Sequence, residues 1–288
     1  MQNKKNTNRI TSRNISIFAF VTVICGWIGI GLDRLLGQPS GMESLGALIF
    51  IVTPLLCTIL LRFFGGDGWK DFPLRPNLKQ NIAWYLFALL VYPVVIGVTL
   101  FVGEMQGWVD VSKFSFAAYL PILAAAFLPE FIKNFFEESV WRGYLTVKLE
   151  QLTKNEWLIY LVVGLVWQTW HAPYYLIFLE DDYVSKFFPY GDVWLFVYSF
   201  LVVGIWTIMY TEVFFLSRSL WLVILMHTME DALNPIVSEG FAVISPDKTL
   251  LVSPTFGALP LLIYLAIGLY LRRIRKIKVG LCGVGRPV

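Results

Sequence analysis

The chain contains only two histidines, His171 and His227, and both fall in apolar stretches. His227 is followed four residues later by Asp231. At helical spacing the two share a face, and Asn234 extends that face by a further turn. A carboxylate at this distance can orient an imidazole or share a metal ion with it. His171 closes the stretch Trp167-Gln168-Thr169-Trp170-His171, with Pro173 two residues on. A proline there removes backbone hydrogen bonds, which is tolerated at membrane depth where protein or water satisfies the freed groups. A third cluster precedes both histidines: Glu130, Lys133, Asn134, Glu137, Glu138 and Arg142. Lys133 and Glu137 are four apart, as are Glu138 and Arg142, so both pairs can meet on a helix surface. Two adjacent carboxylates in a low-dielectric setting suit a general acid or base better than a passive face.

These groups need elements to hold them, and the composition says which. The chain has 288 residues, is 57% hydrophobic and only 15% charged, with a mean hydropathy of +0.66. Soluble domains carry roughly 25% charge. Runs of about 18 apolar residues read as membrane helices. Such runs cover residues 15–32, 44–61, 82–103, 157–179, 193–211 and 250–271, and two more, 117–148 and 220–237, are interrupted by charge. The expected fold is therefore all-α: one polytopic bundle of about eight transmembrane helices, a single membrane domain over 1–288. Eight long apolar runs cannot all be buried in one soluble globule of this size, which excludes that class.

With alternating spans and a cytoplasmic N-terminus, 18 basic residues fall inside, among them Lys4, Lys5, Arg62, Lys148, Arg218 and the tail from Arg272 to Arg286. Only Arg34, Lys113, Lys186 and Lys248 fall outside, and Lys133 lies within a span. This asymmetry places both termini in the cytoplasm. The net charge of +3 is no sign of nucleic-acid binding. The first apolar run lacks a small-x-small cleavage site and reads as an uncleaved span. Cys25, Cys57 and Cys282 are too scattered for a disulfide framework or a thiolate metal site, and Cys25 and Cys57 read as lipid-facing or packing residues. Charged groups in a bilayer are costly and mark functional sites by default. At 1.5 Å per residue, Glu137 lies about 17 Å before Lys148, His171 about 25 Å beyond Lys154, and His227 about 14 Å beyond Arg218. The three are expected to meet in the cytoplasmic half to middle of the bilayer, with access from the cytoplasmic side.

Three patterns thus stand in order: Glu137-Glu138-x-x-x-Arg142, Trp167-x-x-x-His171 and His227-x-x-x-Asp231. Together they resemble the motifs EExxxR, FxxxH and HxxxN or HxxxD of the CPBP family of intramembrane proteases. That family includes CAAX proteases, bacteriocin-processing enzymes and the type II CAAX prenyl endopeptidases. The resemblance covers about residues 117–240. Trp167 stands where the family usually has Phe, and Asp231 where the prenyl endopeptidases have Asn. An ionised Asp cannot donate a hydrogen bond to an oxyanion. There is no HExxH and no GxSxG to suggest another protease class, and the Gly65-Gly66-Asp67-Gly68 run has no partner aspartate in a span.

The resemblance implies hydrolysis of a peptide bond within the membrane by an activated water. On that reading Glu137 is the general base, His171 helps to hold and polarise the water, and His227 donates to the oxyanion. Asp231 would orient His227, and Arg142 would pair with Glu138 and lock the helix. A second version keeps the residues and binds Zn²⁺ through Glu137, His171, His227 and Asp231, leaving one position for water. The metal-free version is preferred. The implied substrate is a peptide or membrane-anchored protein, lipidated or not, and the implied setting is a bacterial cell membrane, where relatives act in peptide maturation or bacteriocin self-immunity. Two readings of another class use the same residues: a silent family member acting as an immunity or binding protein, and a small proton-coupled transporter.

Overall fold

The computed structural model describes residues 2–283, with side chains from 6 to 278. The side chains of Lys4, Lys5 and Cys282, and all of Arg286, lie outside the described residues. Among the described residues nine helices longer than a single turn organise the chain: α1 (Gln2–Leu35), α2 (Leu45–Phe63), α3 (Leu78–Met105), α4 (Phe116–Leu152), α5 (Glu156–Trp170), α6 (Asp181–Phe187), α7 (Asp192–Ser217), α8 (Leu220–Ala232) and α9 (Ala258–Gly283). A helix stands at each of the eight sequence-derived positions; α6 is an extra short one in the loop before α7. Five described helices, α1 to α4 and α7, are long and apolar enough to cross a membrane. The protein is an integral membrane protein built of helices.

The other three expected spans differ for identifiable reasons. α5 stops at Trp170, and Tyr174–Phe178 continues as a wider π-turn. α8 has only 13 residues and is almost wholly buried inside the bundle, so it needs no lipid-facing length. α9 starts at Ala258 rather than near Leu250, because Thr249–Val252 forms a separate turn before Pro254.

The packing follows from small residues and buried polar pairs. α1 crosses α2 where Gly29 meets Gly46. A Cβ on Gly46 would lie 2.7 Å from the Gly29 backbone, so only glycine permits this approach. Asp33, buried beside the crossing, accepts from the Gly46 N–H at 2.8 Å. Cys25 and Cys57 are buried packing residues. α7 carries a fully buried Glu212 just past the end of its expected charge-free stretch. Arg275 of α9 donates to both of its oxygens, at 2.6 and 2.8 Å, and the Tyr160 hydroxyl of α5 bonds it too. The charge-free reading of the last helix therefore ends at Leu271: its basic residues bind α9 to α5 and α7.

α4 is not a uniform helix. Trp141–Thr146 winds as a π-helix, and the Thr146 hydroxyl donates to the Trp141 carbonyl at 2.8 Å. The carbonyl of Gly143 is taken by Arg62 of α2 at 2.8 Å. A Cβ on Gly143 would lie 2.8 Å from the Phe72 ring, so the loop after α2 packs directly on this turn. Arg62 and Lys148 also bond the two oxygens of Asp71, at 2.6 and 2.7 Å, and Asp67 accepts from Asn14 and Tyr144. Single π-turns inside α-helices concentrate at functional sites. This one lies three residues beyond Glu138.

Candidate active site

Glu137, at the end of the α-helical part of α4, is buried. Its Oε2 accepts from the indole N–H of Trp167 at 3.2 Å and from that of Trp141 at 3.4 Å. Both bonds fall on one oxygen, which leaves Oε1 for the cavity that Glu137 lines. Trp141 reaches back one turn to do this, and Trp167 reaches across from α5. The aromatic of the second motif thus anchors the carboxylate of the first.

His171 caps the C-terminus of α5, and its Nδ1 lies 3.0 Å from the carbonyl of Trp167. A carbonyl only accepts, so Nδ1 carries the proton and Nε2 presents a lone pair. Tyr175 stacks on the ring at a centroid distance of 5.5 Å. The regular helix ends at Trp170, and Pro173 leads into the π-turn that follows His171.

His227 of α8 is held at Nδ1 by Glu138 Oε1, at 2.9 Å. The same oxygen accepts from Arg142 at 2.8 Å. The Arg142 guanidinium lies between two aromatic faces, 4.5 Å from the ring centre of Trp167 and 4.7 Å from that of Tyr210. Such stacking favours a cation where water is excluded. Asp231 stands farther from His227, 3.7 Å from Nε2. The carboxylate that hydrogen-bonds the imidazole is therefore Glu138 from another helix, not the aspartate at i+4.

Asp231 instead joins a second set. Its Oδ2 accepts from Asn134 at 2.7 Å and from Lys133 at 2.9 Å, and Lys133 also pairs with Glu130 at 2.6 Å. Lys133 turns away from the expected i+4 partner Glu137 because two other carboxylates claim its ammonium. Asn234 accepts from Thr255 at 3.3 Å and stands at the cavity wall.

The cavity has a volume of about 190 Å³. Glu137, His171, His227, Asp231, Trp167 and Asn234 all line it, while Glu138 and Arg142 lie behind the wall. Its remaining lining is largely aromatic and aliphatic, with Phe50, Trp170, Tyr174, Tyr175 and Trp206 prominent. Sequence reasoning missed two residues of the site, Trp141 behind Glu137 and Glu230 in the cavity wall. Trp141 was legible at i+4 from Glu137. Glu230, buried beside Asp231, lines the cavity too; its signal was a second carboxylate next to the third motif.

Metal-type donors gather at one place among the described residues: His227, Glu230 and Asp231, whose ligand atoms lie within 4.8 Å of one another. Glu137 and His171 are not part of that group. Oδ2 of Asp231 already faces the Lys133 ammonium at 2.9 Å. A divalent cation at that oxygen would meet a fixed positive charge, and among the described residues Glu137 and His171 do not gather with His227 and Asp231 into one metal-type group.

Residues 116–233 match the family model described as Type II CAAX prenyl endopeptidase Rce1-like. This stretch is similar to an Rce1-like domain. It spans α4 to α8 and contains every residue of the three motifs, with Asn234 one residue beyond. The match supports an intramembrane protease. No curated protein matches the chain.

Proposed function

We propose that the chain is an intramembrane endopeptidase that hydrolyses a peptide bond of a membrane-associated substrate with a water activated by Glu137 and His171. One observation carries this reading. Glu137, His171 and His227 line a single cavity, and each is fixed from behind, so that one oxygen or one Nε2 remains to face a substrate.

The step follows from those free atoms. Water is held between Glu137 Oε1 and His171 Nε2. Its oxygen bonds to the scissile carbonyl carbon while its proton passes to Glu137. His227, held at Nδ1 by Glu138, presents Nε2–H as an imidazolium to the oxyanion. When the tetrahedral species collapses, the C–N bond breaks and Glu137 returns the proton to the leaving amine. Asp231 cannot donate to the oxyanion; it carries a negative charge beside His227 and is itself held by Asn134 and Lys133. Arg142 positions Glu138 and so acts on His227 through it.

The chain works as one membrane domain, with its chemistry in residues 117–240, eight membrane helices and both termini in the cytoplasm. The setting that suits it is a bacterial cell membrane. Cleavage products compared between cells making the wild-type chain and Glu137→Ala test the activity. Products that persist in Glu137→Ala and His171→Ala alike would end the protease reading. Mechanism type is tested by exhaustive chelation with bound-metal measurement. Full activity without metal is expected; loss that zinc restores would favour a site built on His227, Glu230 and Asp231.

A further inference from the structure

The cavity is built from one end of the bundle. Phe50 lies near the start of α2, Leu195 is in the first turn of α7, and Glu130 precedes Glu137 on α4. Three loops add Met42, Tyr183 and Phe256. These loops, 36–44, 171–191 and 233–257, all join helices at the same end. There Val109 and Asp110, in the 106–115 loop, pair with Ile244 and Val243. Among the described residues, no lining residue comes from the loops of the opposite end, 64–77, 153–155 and 218–219. Below Glu137 the way is filled by Glu138, Trp141 and Arg142, each wholly buried, and then by the Arg62–Asp71–Lys148 network.

Charge tells the two ends apart. At the closed end Arg62 and Lys148 hold Asp71, Arg218 holds Glu150, and Arg275 holds Glu156 and Glu212. At the open end the rim exposes Glu180, Asp181 and Asp182, and basic residues are sparse. Basic residues of short loops stay on the cytoplasmic side. The closed end is thus the cytoplasmic one, which reverses the access read from helix depth alone.

We propose that the cavity opens to the extracytoplasmic face and takes a peptide segment presented there, rather than a cytoplasmic tail. The segment belongs to a secreted peptide or to the outer juxtamembrane stretch of an anchored protein. The substrate part of this inference rests on the protease reading; the direction of opening does not.

Two measurements on the full chain test it. In a background with Cys25, Cys57 and Cys282 replaced by Ala, Ser185→Cys reports the rim and Lys70→Cys the closed end; both positions are exposed. Asp182→Cys serves if the first rim variant does not accumulate. A membrane-impermeant maleimide added to intact cells is expected to label the rim cysteine, and Lys70→Cys only after permeabilisation. Labelling in the reverse order, or of both in intact cells, overturns the proposal. Terminal proteomics of cells with wild-type chain or Glu137→Ala then maps cleavage. Sites in secreted peptides or outer juxtamembrane segments are expected, and the map says which. Sites in cytoplasmic segments overturn the substrate class. If no site differs, the protease reading falls and the substrate class with it, while the labelling still decides where the cavity opens.

Discussion

The buried pair Glu138–Arg142 shows how much a single contact controls. Neither side chain reaches the cavity, yet Glu138 sets the imidazole that does. Replacing Arg142 by Leu leaves the buried Glu138 with His227 alone as its partner; removing one member of a buried ion pair costs about 3–5 kcal/mol. Thermal unfolding in detergent is expected to show that loss. Glu138→Leu combined with Arg142→Leu should recover most of the stability, because an apolar pair of similar volume replaces the ions. Activity should not return, since His227 then lacks its Nδ1 partner. If the double variant regains cleavage, Glu138 is not what positions His227. Glu137→Gln separates the roles further. The amide keeps the shape but cannot take a proton, so cleavage should fall by about 10²–10⁴ while the unfolding temperature stays close to wild type. The three motifs were legible because their residue types are costly in lipid and so stand out. Which carboxylate serves which histidine was not legible, because Glu138 and His227 are 89 positions apart and meet only through packing.

At the level of elements, the sequence showed where helices lie better than how long they are. Hydropathy locates apolar runs, but it does not register the turn at Pro173 or that α8 is sheltered by its neighbours. It also missed that α4 changes its winding at Trp141, since π-turns have no compositional signature and this one is held by a distant Arg62. Close approaches are legible only afterwards. Gly46 looks ordinary in sequence, yet its Cα faces the Gly29 backbone. Gly46→Ala is expected to push α1 from α2 and destabilise the bundle by about 1–3 kcal/mol. Unfolding in detergent would check this, with Gly31→Ala as the control, because a Cβ there meets nothing within 4 Å. Equal stability of the two variants would show that the crossing can yield.

For the molecule as a whole, the polar network at the closed end gives a dependence on acidity. Burial pushes the Asp71 carboxyl up, but the hydrogen bonds and charges of Lys148 and Arg62 outweigh it and hold Asp71 below the ordinary carboxylate range. A carboxyl depressed by folding adds stability that is fully present above its unfolded value, about pH 3.9, and is lost as pH falls through the folded one. Unfolding temperature is therefore expected to drop below about pH 4, and Asp71→Asn should flatten that part of the profile. An unchanged profile would assign the acid response to other groups. The same closed end has another meaning. On the proposed opening, a floor of Glu138, Trp141 and Arg142, each wholly buried, lets water reach the proposed chemistry from one side without joining the two aqueous compartments. The proposed hydrolase is therefore expected not to leak protons across an energised membrane, and sealed vesicles packed with it should hold a pH gradient as long as empty ones do.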